Sequence, residues 1–419
     1  MSEALTNSRR LAAARDPALI AAGAGFVLLI LGMFTQPGTG HLLHFDPTQL
    51  FRSWLFAWMF WLGISLGSMG VVMMHHLLGG AWGYLVRRFA ELAACCTPVL
   101  AVLFIPIILG VKYLYPWADP EQVAHDGVLR HKIHFLNWPF WTVRAAVILL
   151  VFSGMTWLLR SMSQALDRNS GTGPMLKRLN NFSAVGEVAY FVLMSLAAVD
   201  WIMSREAHWY STVFGFLVVV SQALSALCFL ILMLAVYGDE EPLKSVARPN
   251  YVNDLATVLI VFVILWAYLS FSQFLVTWLG NNQTEITWYI QRTDGAWRWV
   301  GGALILFHFL VPFVLLLMRP IKRKLGRLAA VAGGVLLMRA IDLTYWVTPN
   351  NPVGSHWSAG QLVYAAVMNL LALLAIGGIW FATFLWLLKD TLILPAGDAL
   401  SELSVNHGHG KRTEPGAVT

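Results

Sequence analysis

The stretch DWIMSREAHWYSTVFGF holds Asp200, Arg205, Glu206 and His208 within nine residues, beside Trp201, Trp209 and Tyr210, and long apolar runs flank it on both sides. A carboxylate and an imidazole in reach of one substrate can take up and release protons near neutral pH, with indole rings as the apolar walls of a pocket. Asp200, His208 and the nearby His134, walled by Trp201 and Trp209, are candidates for such a site. Few other ionisable groups fall inside apolar runs. His75 and His76 close the second run, Glu91 opens the third, Arg144 and Glu187 lie in the fourth and fifth, His308 in the eighth, and Arg339 with Asp342 in the ninth.

A charge at the middle of a membrane helix costs about 2.5–3.5 kcal/mol on the insertion scale, so each one retained needs a partner or a wet cavity. Arg339 and Asp342 are three residues apart and share a helix face, where they can neutralise one another. They either make insertion tolerable or face a water-filled proton path. Glu187 has no opposite charge within four residues and must find a proton or a partner on another helix. His75, His76, Glu91, Glu187, Asp200, His308, Arg339 and Asp342 stand at graded heights, as a chain of proton donors would require; the alternative is that each is separately paired for insertion.

Other chemistries find little support. A b-type haem needs two histidines at matched depth on facing helices, whereas His75 falls near the inner end of its run and His308 in the outer half of another. There is no P-loop, GxSxG, HExxH or iron–sulfur cysteine set. Cys95, Cys96 and Cys228 form no CxxC and read as small buried hydrophobes. His407 and His409 lie in a polar tail whose default state is disorder.

The elements that must position these residues are membrane helices. Of 419 residues 58% are hydrophobic and only 12% charged, with a mean hydropathy of +0.65, which describes an integral membrane protein. Crossing about 30 Å of hydrocarbon takes about 20 helical residues. Windows of that kind fall at 17–35, 53–78, 91–115, 138–159, 183–203, 209–237, 255–279, 297–318, 326–346 and 360–388, giving an all-α chain of ten helices. The first is expected to be a retained helix, because Arg9, Arg10 and Arg15 precede it but no small-residue cleavage site follows.

With the N-terminus in the cytoplasm, most of the 28 Lys and Arg fall on the cytoplasmic side, including Arg87 and Arg88 between helices 2 and 3 and a run from Arg319 to Arg327, while loop 347–359 has none. Both termini are therefore expected inside, and the Asp200–His208 turn outside. The net charge of +6 is a topology signal in short loops and forms no basic face for nucleic acid. Helices 2 and 6 run in the same direction, so helices 2–5 and 6–9 can form two parallel four-helix repeats. The expected organisation is one ten-helix domain over 1–395, with bundle one at about 53–203, bundle two at about 209–346, flanking helices 1 and 10, and a polar tail over 396–419.

Three segments, AAVDWIMSREAHWYSTVFGF, ILWAYLSFSQFLVTWLGNNQTEITWYIQR and RAIDLTYWVTP, resemble the ActF-type quinone-binding membrane subunits of alternative complex III, the quinol:cytochrome c oxidoreductases related to NrfD and polysulfide-reductase membrane anchors. The resemblance runs from helix 2 to helix 10, and its patterns D-W-x-M-S-x-x-x-H-W-Y-S-T-x-F-G and F-S-Q-F-L-x-x-W are long and specific. It implies ten helices with bundles formed by helices 2–5 and 6–9. It also implies membership of a respiratory or photosynthetic electron-transfer complex containing a paralogous quinol-oxidising subunit, an iron–sulfur protein and c-type cytochromes, in a bacterial cytoplasmic membrane. Quinone or menaquinone is the implied ligand, with no haem or iron–sulfur cluster in this subunit and no covalently bound cofactor. Asp200, Arg205, His208, Arg339 and Asp342 fall on the shared patterns; position 205 departs from them, carrying Arg where the family pattern has Leu. A purely structural anchor and a secondary transporter are the competing functions. The spans of helices 5–9 lack the Gly/Pro breaks that build a transporter's substrate site.

Overall fold

The computed structural model describes residues 2–34, 47–168, 173–206, 208–241, 243–282, 286–293, 295–349, 357–389, 391 and 394, with side chains from residue 14 onward except 359. His407, His409 and the tail lie outside them. Every regular element among the described residues is helical, and ten helices are long and apolar enough to cross a membrane. In chain order these are α1 (Ser2–Gly32), α2 (Thr48–Leu78), α3 (Ala81–Leu109), α4 (Trp138–Arg168), α5 (Gly173–Trp201), α6 (Phe214–Tyr237), α7 (Pro249–Gly280), α8 (Trp297–Leu317), α9 (Leu325–Val347) and α10 (Ala359–Lys389). The chain is an all-α, multi-pass membrane protein.

Two rings of neighbours build the molecule. In the first, α2 packs on α3, α3 on α4, α4 on α5 and α5 back on α2; in the second, α6 packs on α7, α7 on α8, α8 on α9 and α9 back on α6. The rings meet where α2 lies along α6, and both of these helices are buried nearly all round. Backbones come close there: a Cβ on Gly67 would stand 2.1 Å from the carbonyl oxygen of Gln222, a contact that no side-chain movement relieves. In the absence of a hydrophobic driving force between helices in lipid, such close approach supplies the van der Waals contact that holds them. α1 and α10 pair along the flank in the same way, with Gly378 facing the carbonyl of Ala18.

The third helix begins ten residues earlier than the sequence windows place it, at Ala81. The windows stop at Arg87 and Arg88 because charged residues read as loop, yet both are buried within the first three turns of α3. Glu91, expected at a helix start, lies well inside. Beyond it, turns at Cys95–Cys96 and at Leu103–Phe104 interrupt α3, each just ahead of a proline, Pro98 and Pro106, whose missing N–H breaks the ladder. α5 likewise starts at Gly173, earlier than expected, and α6 starts at Phe214, later, since Trp209 and its neighbours belong to the turn.

The segment 110–137 between α3 and α4 folds into short helices over the first ring, at the end where the α5–α6 turn lies. Tyr115 donates to the carbonyl of Trp201 at 3.0 Å and Trp117 Nε1 to Ser204 Oγ at 3.2 Å. The C-terminus of α9 meets the same turn, because Arg205 donates to the carbonyl of Val347. This is the turn end of the molecule.

Candidate functional site

Asp200 is the penultimate residue of α5 and is fully buried at the turn end of the first ring. Both of its oxygens are held by Arg144 of α4, Oδ1 by Nη2 at 2.7 Å and Oδ2 by Nε. This forked pairing is the strongest geometry available to an arginine and a carboxylate. The guanidinium is sandwiched further: its carbon lies 3.9 Å from the centroid of Phe135 and 4.6 Å from that of Phe140. Around the pair stands a contiguous aromatic cluster of Trp58, Phe104, Tyr115, Trp117, Trp141 and Trp201, with neighbouring centroids 4.8–5.8 Å apart.

The five pocket candidates are divided among three surroundings. Asp200 and Trp201 belong to this packed cluster. Trp209 stacks on Trp288 at 4.9 Å, on the side of the second ring. His134 is exposed, its carbonyl accepting from Asn137 at 3.2 Å. His208 turns outward, with Nε2 2.9 Å from Asp126 Oδ2 in the 110–137 segment. Trp201 and Trp209 each keep a buried indole N–H without an acceptor.

Burial opposes ionisation of Asp126, but the backbone N–H groups of Val128 and Leu129, then His208, outweigh it and hold the carboxyl below the ordinary range. A lowered folded pKa contributes stability above the unfolded value of about 4, and that contribution disappears as pH falls through the folded value. Hydrogen exchange in residues 119–137 is therefore expected to accelerate between pH 5 and pH 3 relative to the helices. Asp126→Asn should flatten this dependence, since Asn still caps the helix Gly127–Lys132 but does not titrate; an unchanged profile in that variant assigns the acceleration to another group.

Arg205 and Arg292 share one task that the sequence reading missed. Arg292, from the α7–α8 connection, donates to the carbonyls of Tyr345 at 2.8 Å and Trp346 at 3.0 Å, while Arg205 reaches Val347. The last carbonyls of a helix have no partners within it and carry its negative dipole end, so two cations there satisfy both needs. The Arg at position 205 is thus accounted for: it caps α9. Burial pulls the Arg292 guanidinium down to about 10, still a cation at neutral pH, and burial pushes the adjacent Glu206 carboxyl up against the pull of Arg292 and Arg205.

In the second ring the corresponding carboxylate is Asp342 of α9, about one helical turn deeper than Asp200 relative to its helix end. Arg339 forms the expected salt bridge with Oδ2, and Trp266 of α7 donates to the same oxygen at 2.9 Å. Trp266 also meets the edge of His308, with centroids 4.2 Å apart. His308 is fully buried, and its ring makes no well-formed hydrogen bond, only a loose one toward the Val335 backbone. It lies in a π-helical segment, Leu304–Leu310, the only such segment among the described residues. π-Bulges are rare and concentrate at functional sites, because they misalign the backbone at a local cost in stability. Spacing alone carries no signal for this bulge.

At the opposite end, Glu91 accepts from Arg87 at 3.0 Å, Arg88 at 2.7 Å and Arg160 at 2.7 Å, and from the Ser163 hydroxyl at 2.6 Å. Arg88 is also paired with Asp167. Glu91 is thereby the centre of a salt-bridge cluster joining α3 and α4. His75 Nε2 is 2.9 Å from the carbonyl of Gly80, bracing the α2–α3 turn, and His76 Nδ1 shares a 2.8 Å hydrogen bond with Ser183 of α5. One turn further along α5, half-buried Glu187 leaves Oε2 without a partner, and Tyr190 beyond it donates to Gln222 of α6 at 2.7 Å. Ser183, Glu187 and Tyr190 therefore follow one another along one side of α5, with His76 of α2 bonded at the Ser183 end. Glu187 is not paired across helices in the manner of Asp200.

Compared with known proteins, the chain matches no family model, and no curated protein matches it.

Proposed function

We propose that the chain is the ActF-type membrane subunit of a quinol:cytochrome c, or other acceptor, oxidoreductase of the alternative complex III kind, placed in a bacterial cytoplasmic membrane with both termini inside. What supports this, beside the sequence patterns, is the pair of four-helix rings whose last helices, α5 and α9, each carry a buried aspartate bound to an arginine near the turn end. Two related bundles are what the resemblance implies.

The subunit's partners are a paralogous quinol-oxidising subunit, an iron–sulfur protein and c-type cytochromes. Its own residues offer two proton-handling sets, His76–Ser183–Glu187 in the first ring and His308 with Arg339–Asp342 in the second. Aromatic packing fills the space around Asp200, and Arg144 occupies both of its oxygens, which favours a subunit that holds the complex together and handles protons over one that oxidises quinol itself. A quinone would have to displace those side chains to reach Asp200.

Detergent-solubilised native membranes separated on a blue-native gel test the reading. The chain should migrate with c-type haem, in a band that reduces cytochrome c from quinol. A haem-free band containing the chain alone rejects it and favours the transporter.

A further inference from the structure

Residues 127–140, GVLRHKIHFLNWPF, lead into α4 and contain no carboxylate. Leu129 and Leu136 are buried and hold the segment to the bundle. Asn137 locks it to the helix that follows: its amide nitrogen donates to the carbonyls of Ile133 at 3.0 Å and His134 at 3.2 Å, and its side-chain oxygen accepts from the Phe140 N–H at 3.0 Å. The outward face is thereby fixed. It interleaves the exposed Arg130, His131 and His134 with the exposed apolar side chains of Val128, Ile133 and Phe135. Among the described residues, no hydrogen bond or ion pair engages the side chains of Arg130, His131 or His134. Asp126, the acid just before the segment, is already held by His208 and by the N–H groups of Val128 and Leu129.

The depth of this face in the bilayer follows from α4. Phe140, Val143, Val147, Leu150 and Trp157 are exposed and recur at the spacing of one helix face, so they form a single apolar stripe that faces hydrocarbon. Phe135 meets Phe140 edge-on, with centroids 6.1 Å apart, and the two rings flank Arg144, so the segment rests against the head of that stripe. Trp138, 51% exposed, opens α4 at this level, and indoles favour the headgroup boundary. At about 1.5 Å per helical residue Arg130 lies within about 8 Å of Phe135 along the chain, comparable to the depth of one headgroup layer. We propose that this face binds anionic phospholipid in the leaflet at the turn end: Arg130 faces the phosphate, His131 and His134 donate to its oxygens, and Ile133 and Phe135 rest on the upper acyl chains.

An acidic face on a partner protein would satisfy Arg130 and the imidazoles, but not the aromatic residues beside them, which lie on the hydrocarbon side. A lipid matches both, since its charge and its apolar chains are stacked in the order in which the segment presents cation and rings. Each cation close to an anionic bilayer surface strengthens the attraction roughly fivefold. Half-buried Lys132 adds to the positive field, although it shares its charge with Asp126. The site needs only that α4 spans a bilayer and is independent of the electron-transfer reading.

Native mass spectrometry of the full chain in detergent, titrated with equal amounts of phosphatidylglycerol and phosphatidylcholine, provides the test. The unaltered protein should take up phosphatidylglycerol in preference. Arg130→Gln should lower that preference roughly fivefold, and the double variant His131→Gln/His134→Gln should lower it independently; all three side chains are exposed, so the fold is kept. Arg298→Gln, which removes an exposed cation at the start of α8, should leave it unchanged. In native membranes, a photoreactive benzoylphenylalanine introduced in place of Ile133 should yield a phospholipid adduct. Equal uptake of the two lipids, a preference that falls no further in Arg130→Gln than in Arg298→Gln, or a protein adduct at position 133 would each overturn the proposal.

Discussion

Glu91→Leu is expected to be the most damaging single substitution in the chain. It removes the one carboxylate that touches Arg87, Arg88 and Arg160 together, within the membrane-spanning part of α3 and α4, while Asp167 still pairs with Arg88. Breaking a buried pair by removing one partner costs about 3–5 kcal/mol, because the remaining charge is stranded. Here three partners are affected at once, and the link to Thr391 through Arg160 is loosened as well. Glu91→Gln should cost less, since the amide still accepts from Ser163 and one arginine. Asp200→Leu strands only Arg144, and the double variant Arg144→Leu/Asp200→Leu should recover much of the loss by replacing the pair with apolar packing. Thermal stability of the detergent-extracted protein, followed by size-exclusion chromatography, ranks the variants. If Glu91→Leu proves no worse than Asp200→Leu, the cluster is not a shared anchor.

Ten apolar windows of the right length are legible in the sequence because lipid forbids any other spanning backbone in a chain without barrel-like strands. The misplaced start of α3 shows where that legibility ends. Arg87 and Arg88 are sequence signals for a loop only when unpaired, and their neutralisers include Asp167, which lies 79 residues from Arg88 along the chain. Nothing in local composition reports a partner at that distance. The Arg339–Asp342 pair, by contrast, was readable because helical spacing itself brings the two together. Asp200 lies between these cases. Its burial followed from the cost of charge in lipid, but its partner Arg144 lies on another helix, 56 residues away, and only the packing of α4 on α5 reveals it. The capping of α9 by Arg205 and Arg292 was hidden for the same reason.

The last expected result separates stability from function at His308, and the two effects should have opposite signs. Neither ring nitrogen makes a well-formed hydrogen bond, the one backbone partner at hand being Val335, so the imidazole is under-satisfied in the interior, and replacing it by an apolar ring should stabilise the fold by about 1 kcal/mol. His308→Phe keeps the edge contact with Trp266 and leaves the Arg339–Asp342 salt bridge untouched; His308→Leu guards against overpacking by the slightly larger ring. A residue that weakens the fold where it stands, inside a π-segment, beside an ion pair, is the pattern expected of a group retained for what it does. If the proposed electron-transfer role holds, proteoliposomes of the complex carrying either variant should sustain quinol oxidation while the number of protons translocated per electron falls. If instead melting temperature drops in both variants, His308 has a structural partner and the stability argument fails. If melting rises and the proton-to-electron ratio holds, the imidazole does not carry protons, and Glu187 in the first ring, which also leaves one oxygen without a partner, is the next group to replace.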